Sequence, residues 1–298
     1  MIKKPYFYLA VTILLWGATP IIVSGLSVTL PIFEINWIVT GFSIIILSIV
    51  ILTSGRAKIF RSYKKKDYTA MFIMGAAGIF PYTALYYLAF SLAPADAGNI
   101  NIINYTWPVW IIILSVFFLK EPLTLTKIMG ILLSFAGVYL IISNGNMKGL
   151  QVHHSAHYMP AYLSAGAGAF FWGLFSVLSK RCRFEPLSSL LIYNISAFLF
   201  FSVIVLFFTG LKTPSINEWI LLFILGGCIN GLGYLFWILA LRYGDTARIA
   251  NLVYLTPFIA LVYIYIFRGT RIHAFQFAGL TLIVAGPVIQ HALRIRKT

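Results

Sequence analysis

The chain has 298 residues, of which 60% are hydrophobic and 10% charged, and its mean hydropathy is +0.92. This composition excludes a water-soluble domain, whose surface needs far more charge. The formal net charge of +15 would suit a nucleic-acid binder, but the basic residues sort by membrane side, which argues against that class.

Ten apolar stretches of about 20 residues, the length that a membrane-spanning helix needs, follow one another along the chain. They cover approximately residues 6–26, 32–53, 69–91, 95–119, 125–143, 158–179, 187–209, 218–241, 246–267 and 273–292. The apolar runs are continuous and do not alternate with a period of two, which favours helices over barrel strands. We therefore predict an all-α integral membrane protein with ten transmembrane helices.

The second half of the chain repeats the first at an offset of 149 residues. The equivalent pairs are Gly78 and Gly227, Asp96 and Asp245, Tyr105 and Tyr254, Pro108 and Pro257, Gly130 and Gly279, and Gly137 and Gly286; Trp16-Gly17 recurs as Trp172-Gly173 at an offset of 156. Because each half has five spans, an odd number, the two copies must lie in opposite orientations. The sequence predicts two inverted five-helix repeats, residues 1–143 and 158–298, joined by an outer loop at 144–157, with a substrate site between them at mid-membrane.

The Lys and Arg residues divide unequally between the two sides of the membrane. With the N-terminus inside, 18 of the 22 lie in cytoplasmic loops or termini, including those from Arg56 to Lys66. Only Lys148, Lys212, Arg268 and Arg271 lie outside. The positive-inside rule therefore places both termini in the cytoplasm, in agreement with an even number of spans.

Polar side chains gather in the first half of the fourth span. Asn101, Tyr105 and Pro108 are spaced i, i+4 and i+7 and share one helix face, with Trp107 beside them. Amides are costly in hydrocarbon, so this face should line the bundle interior or a wet cavity. Two interpretations stay open: a substrate-binding wall, or hydrogen bonds between helices.

The ninth span carries Asn251, Tyr254 and Pro257, and the last two stand at the positions equivalent to Tyr105 and Pro108. A proline within a span leaves a backbone carbonyl unpaired one turn earlier, and such a break is tolerated where it lines a cavity. We predict that Pro108 and Pro257 form gates; the alternative is a pair of packing kinks.

Further substrate-binding candidates are aromatic and amide side chains of other spans. They are Trp16 in the first span, Tyr82 and Tyr86 in the third, Trp172 in the sixth, and Asn230, Tyr234 and Trp237 in the eighth. Aromatic walls can stack on flat rings or hold cations by their π faces.

The chain is poor in residues for catalysis or metal binding. Its seven acidic residues, Glu34, Asp67, Asp96, Glu121, Glu185, Glu218 and Asp245, all fall near predicted span ends. Asp96 and Asp245 are expected to cap the helices that follow them. The loop histidines His153, His154 and His157 have no carboxylate or thiol beside them. We therefore predict no proton relay of the usual buried-carboxylate kind, no catalytic residue, no metal and no cofactor.

Several motifs resemble those of the drug/metabolite transporter superfamily, and within it the EamA-like ten-span exporters. They are the two Trp-Gly pairs, the stretch from Ala89 to Ala97, Leu119-Lys120-Glu121-Pro122, and the spacing from Gly130 to Gly137. The second half departs from the pattern, because Arg268-Gly269-Thr270-Arg271 stands where Lys-Glu-Pro would be expected. Asn104-Tyr105-Thr106-Trp107-Pro108 resembles the fourth-span motif of the bacterial aromatic amino acid exporter branch.

This resemblance implies outward transport by alternating access, through a cavity walled by the first, third, fourth, sixth, eighth and ninth spans. We predict an exporter of small metabolites in the bacterial inner membrane, with amino acids, above all aromatic ones, as the first candidates. Its partners would be a small-molecule substrate and the lipid bilayer, with no nucleic acid. The alternatives are an exporter of amines, drugs, nucleosides or sugars, a non-transporting receptor or assembly subunit, and, least favoured, an integral-membrane enzyme.

Overall fold

The computed structural model describes residues 4–26, 29–93, 97–143, 145, 158–182, 184–269, 271 and 273–295. Throughout these ranges the regular structure is helical, without strands. The helices are α1 Lys4–Gly17, α2 Thr19–Leu26, α3 Ile32–Thr53, α4 Lys65–Met74, α5 Phe80–Leu92, α6 Ala97–Asn104, α7 Trp107–Leu119, α8 Leu125–Ile142, α9 Met159–Arg181, α10 Pro186–Ile204, α11 Ile216–Phe223, α12 Gly233–Tyr243, α13 Thr246–Leu252, α14 Thr256–Arg268 and α15 Ala274–Ile295. The all-α prediction is confirmed.

Nine continuous stretches of the described chain are long and apolar enough to cross a membrane. They are Lys4–Val23, Ile32–Thr53, Lys65–Leu92, Asn99–Leu119, Leu125–Ile142, Met159–Arg181, Pro186–Thr209, Ile216–Tyr243 and Thr246–Arg268. In α15 the apolar stretch found, Ala274–Val288, is shorter, so the tenth span remains a prediction. Side chains such as Phe117, Phe207 and Phe208 are 73–79% exposed, as expected for surfaces that face lipid.

Several spans contain breaks in their helical geometry. The fourth span is interrupted at Tyr105 and Thr106 between α6 and α7, and the ninth tightens into a 3₁₀ turn at Val253–Leu255. Pro108 and Pro257 each follow one of these breaks, in the first turn of the next helix. Proline suits this position because its missing N–H would have no partner within the helix.

Helices α8 and α15 pack through glycines that allow their backbones to meet. A Cβ atom added to Gly137 would lie 2.4 Å from the Gly279 carbonyl oxygen, and one added to Gly286 would lie 2.4 Å from that of Gly130. Ser134 Oγ donates to the Ile283 carbonyl oxygen at 3.1 Å between these two contacts. Since the contacting residue numbers rise along α8 as they fall along α15, the two helices run antiparallel.

Replacing Gly137 with alanine should destabilise the protein by about 1–3 kcal/mol, because the methyl group would overlap a backbone oxygen that cannot rotate away. Thermal unfolding of the detergent-purified protein measures this as a lower Tm. Gly25→Ala is the matched control, since nothing lies within 4 Å of its added Cβ. Equal melting temperatures for the two variants would contradict the close approach of α8 and α15.

Candidate functional site

A cavity of about 160 Å³ lies among spans from both halves of the chain. Nine of the predicted substrate residues line it: Trp16, Tyr82, Tyr86, Asn101, Tyr105, Trp107, Trp172, Asn230 and Tyr234. The other lining residues are Thr19, Pro20, Asn36, Val39, Thr83, Tyr87, Asn104, Leu225 and Thr256. Every one of these side chains is uncharged, so the wall offers aromatic faces, hydroxyls and amides.

Four tryptophans and a tyrosine form an aromatic cluster, and all of them except Trp237 line the cavity. The Trp16 ring centroid lies 5.9 Å from that of Trp172, 5.5 Å from that of Trp237 and 5.8 Å from that of Tyr234. Trp107 meets Trp237 edge-on at 5.4 Å, and Trp172 meets Tyr234 at 4.8 Å. Such contacts stabilise each ring pair by about 0.5–1.5 kcal/mol beyond area burial, so the rings of the cluster hold one another in place.

Two polar atoms of the lining residues are buried and have no hydrogen-bond partner among the described residues. They are the indole N–H of Trp16, a donor, and the side-chain oxygen of Asn104, an acceptor. By contrast, the Tyr86 hydroxyl donates to Asn101 Oδ1 at 2.5 Å. A buried polar group without a partner costs about 1–3 kcal/mol, so both atoms favour any state or ligand that satisfies them.

Three predicted substrate residues, Trp237, Asn251 and Tyr254, lie behind the cavity wall and do not line it. Each is 0% exposed. Trp237 Nε1 donates to Ser176 Oγ at 3.0 Å, which holds the indole against the aromatic cluster. The Tyr254 hydroxyl donates to the backbone carbonyl oxygen of Tyr105 at 3.0 Å. In this arrangement Trp237 and Tyr254 support the wall and do not form its surface, whereas both amide atoms of Asn251 are buried without a hydrogen-bond partner among the described residues.

Comparison with known proteins identifies the family. The model of the EamA-like transporter family matches the chain twice, over residues 3–143 and 159–289. The chain belongs to this family. The resemblance to the drug/metabolite transporter superfamily inferred from the motifs is therefore confirmed, and the protein is a multi-pass membrane transporter.

The relatives of this transporter are distant in sequence but similar along most of their length. The aromatic amino acid exporter YddG of Ancylobacter novellus is 24% identical over 285 residues, covering 95% of this chain and 96% of the relative. The uncharacterized transporter YyaM of Bacillus subtilis is 25% identical over 81% of this chain and 78% of its own. A solved crystal structure at 21% identity superposes with a TM-score of 0.85 and 97% coverage of both chains, which shows a shared fold.

The second span is a wall of the cavity that the sequence reasoning missed, since only six other spans were expected to form it. Asn36 and Val39 of α3 reach the cavity. The available signal was Asn36 itself, an amide within an apolar run. Asn104 was also left out of the predicted site, although it shares the first half of the fourth span with Asn101.

Acidic side chains of the described residues lie at span ends and not at the cavity. Asp245 accepts from the backbone N–H of Arg248 at 3.0 Å, so its predicted capping role is confirmed. Glu185 caps α10 in the same way, through the N–H of Ser188 at 2.7 Å. Asp96 and the histidines His153, His154 and His157 lie outside the described residues.

A charged network joins the two halves at the end of the bundle away from the cavity. Lys180 Nζ donates to the Gly244 carbonyl oxygen at 2.9 Å, to Thr246 Oγ1 at 2.7 Å and to Glu121 Oε1 at 3.3 Å. Thr246 Oγ1 also donates to Glu121 Oε1 at 2.6 Å, and Lys127 lies 3.7 Å from Glu121 Oε2. The network thus ties the ends of α7 and α9 to the turn between α12 and α13.

Proposed function

We propose that this transporter exports small uncharged or zwitterionic metabolites, with amino acids as the first candidates, from the cytoplasm of a bacterium across its inner membrane. The observation that carries the proposal is the cavity between the two halves, lined by aromatic rings, amides and hydroxyls and by no charged group of the described chain. The name of the Ancylobacter relative, an aromatic amino acid exporter, supports the same substrate class.

The proposed architecture is ten spans in two inverted repeats, residues 1–143 and 158–298, with 144–157 between them. The two family matches and the antiparallel α8 and α15 support it. Equivalent contacts add support: an added Cβ at Gly17 would meet Ile259 and Ala260, and one at Gly173 would meet Trp110 and Ile111. Those partners are themselves related by the offset of 149 residues.

The proposed orientation, with both termini in the cytoplasm, makes this an outward-facing state. Most cavity residues then lie in the outer halves of their spans, among them Thr19, Asn36 and Asn101. The network around Lys180 would lie at the cytoplasmic ends and hold the two halves together on that side. Alternating access would require this network to open while the outer cavity closes.

The substrate would be held through its polar head and its apolar part separately. The Trp16 indole N–H would donate to a carboxylate, and Asn104 Oδ1 would accept from an ammonium group, which would satisfy both unpartnered atoms. A substrate with a net charge would enter a wall without a counterion, at a high desolvation cost. Rings of Trp172, Tyr82 and Tyr234 would pack on the side chain.

Amines form a second candidate class, because aromatic faces and an amide oxygen can hold a cation without a carboxylate. A panel of phenylalanine, tryptophan, leucine, phenethylamine and adenosine distinguishes the classes by ligand-induced rise in Tm of the purified protein. Efflux of the same compounds from preloaded vesicles tests transport. Stabilisation by phenethylamine or adenosine but by none of the amino acids would discard the amino acid assignment.

The Asn104→Leu variant should weaken phenylalanine binding about tenfold or more, because a hydrogen bond to a charged group contributes about 1.5–3 kcal/mol. Binding of 3-phenylpropionamide, which is neutral and lacks the ammonium group, should not be affected. Asn217→Leu, which removes an exposed amide at the start of α11, is the matched control. Equal losses for phenylalanine and 3-phenylpropionamide would contradict the role given to Asn104.

A further inference from the structure

Two tyrosines at equivalent positions of the repeats contact each other in unequal roles. The Tyr254 hydroxyl donates to the Tyr105 carbonyl oxygen at 3.0 Å, across the offset of 149 residues that relates the repeats. Tyr254 is fully buried, whereas Tyr105 is partly exposed and lines the cavity. The two repeats therefore differ at this position: one tyrosine is buried and donates a hydrogen bond, and the other lines the cavity.

The break in the fourth span makes the Tyr105 carbonyl available. Val109 N–H donates to the Thr106 carbonyl at 2.9 Å, three residues back, and Pro108 has no N–H to donate. The Tyr105 carbonyl consequently turns toward the ninth span and accepts from Tyr254. The ninth span has a similar break. Its turn at Val253–Leu255 contains Tyr254 and is followed by Pro257.

In a transporter built from inverted repeats, exchange of the two repeats' conformations converts one open state into the other. We propose that Tyr105 and Tyr254 exchange roles during transport. In the inward-facing state the Tyr105 hydroxyl donates to the Tyr254 carbonyl, Tyr105 becomes buried and closes the outer cavity, and Tyr254 lines an inner one. This inference rests on the proposed alternating-access function. It gives Tyr105 and Tyr254 a gating role in addition to the substrate-binding role predicted from the sequence.

Each hydrogen bond exists in one state only, so removing one hydroxyl biases the equilibrium toward the other state. Tyr254→Phe should favour the inward-facing state and Tyr105→Phe the outward-facing state, each by about two- to tenfold. The rings remain in both variants, so packing is preserved. The double variant should lie near the wild-type balance.

Maleimide labelling of single cysteines measures the two states in a background in which Cys182 and Cys228 are replaced by serine. Thr19→Cys reports on the outer cavity and Ser179→Cys, at the inner end of α9, on the cytoplasmic side. Tyr254→Phe should slow labelling at position 19 and accelerate it at 179, and Tyr105→Phe should do the reverse. Tyr139→Phe, a phenol of α8 without a hydrogen-bond partner among the described residues, should change neither rate.

Shifts in the same direction for Tyr105→Phe and Tyr254→Phe, or a shift for Tyr254→Phe alone, would overturn the exchange. Lys180→Met separates this failure from failure of the proposed function. If Lys180→Met moves the two labelling rates in opposite directions, the two-state scheme stands and only the tyrosine exchange is lost. If it moves neither rate and the tyrosine variants are also silent, alternating access itself is contradicted.

Discussion

Replacing Trp172 with alanine should lower the free energy of unfolding by about 3–5 kcal/mol and abolish substrate-induced stabilisation. The side chain is 2% exposed and lies at the centre of the aromatic cluster. Its ring contacts Tyr82 and Tyr234 at 4.8 Å and Phe175 at 5.4 Å. Truncation would therefore leave a void between α5, α9 and α12 that rigid neighbours cannot fill.

The loss is measured by thermal or denaturant unfolding of the purified protein, with and without phenylalanine. Trp172→Phe keeps an aromatic ring, so it separates folding from binding: this variant should remain folded and lose affinity. Trp219→Ala is the matched control, because Trp219 is 38% exposed and its ring meets Phe42 alone among the described aromatic side chains, at 6.0 Å. Similar losses for Trp172→Ala and Trp219→Ala would contradict a central role for the cluster.

Replacing Lys180 with methionine should open the side of the transporter that the proposed orientation places in the cytoplasm. The ammonium group contacts Glu121, Gly244 and Thr246, which belong to separate segments, and its removal leaves the Glu121 carboxylate without its closest cation. Hydrogen bonds to charged groups contribute about 1.5–3 kcal/mol, so the ratio of the proposed outward-facing state to the inward-facing state should fall about ten- to hundredfold.

Spin labels at Leu123→Cys, between α7 and α8, and at Tyr243→Cys, at the end of α12, would measure the opening as a longer distance, since both positions are exposed. Lys65→Met serves as the control, since it removes the same charge from an exposed position on the same side. An unchanged distance distribution in Lys180→Met, together with a normal response to ligand, would show that other contacts close this side.

Much of the cavity lining could be predicted because membrane spans restrict polar residues strongly. An amide or tyrosine in hydrocarbon needs a partner or a cavity, and Asn101, Tyr86 and Asn230 lie at the cavity as expected. The prolines Pro108 and Pro257 marked the broken spans correctly, because proline disrupts a helix by its own covalent structure. Their role as gates remains a prediction.

Other features of the site did not follow from local patterns. Asn36 faces the cavity because of how α3 is rotated against its neighbours, which hydropathy does not specify. The network joins Lys180 to Glu121 and to Thr246, which lie 59 and 66 positions away from it along the chain. Its charged members were visible in the sequence only as basic and acidic residues near span ends.

The sequence by itself determined the membrane location, the helical class, the duplication and the family, because apolar length, helix-breaking residues and repeat spacing are properties of the chain. Tertiary structure alone decided that Tyr105 lines the cavity while its equivalent Tyr254 is buried behind it. Two similar repeats encode similar local structure and therefore cannot specify which half is open. That difference arises from how the halves pack against each other, which places the cavity on one side and the Lys180 network on the other.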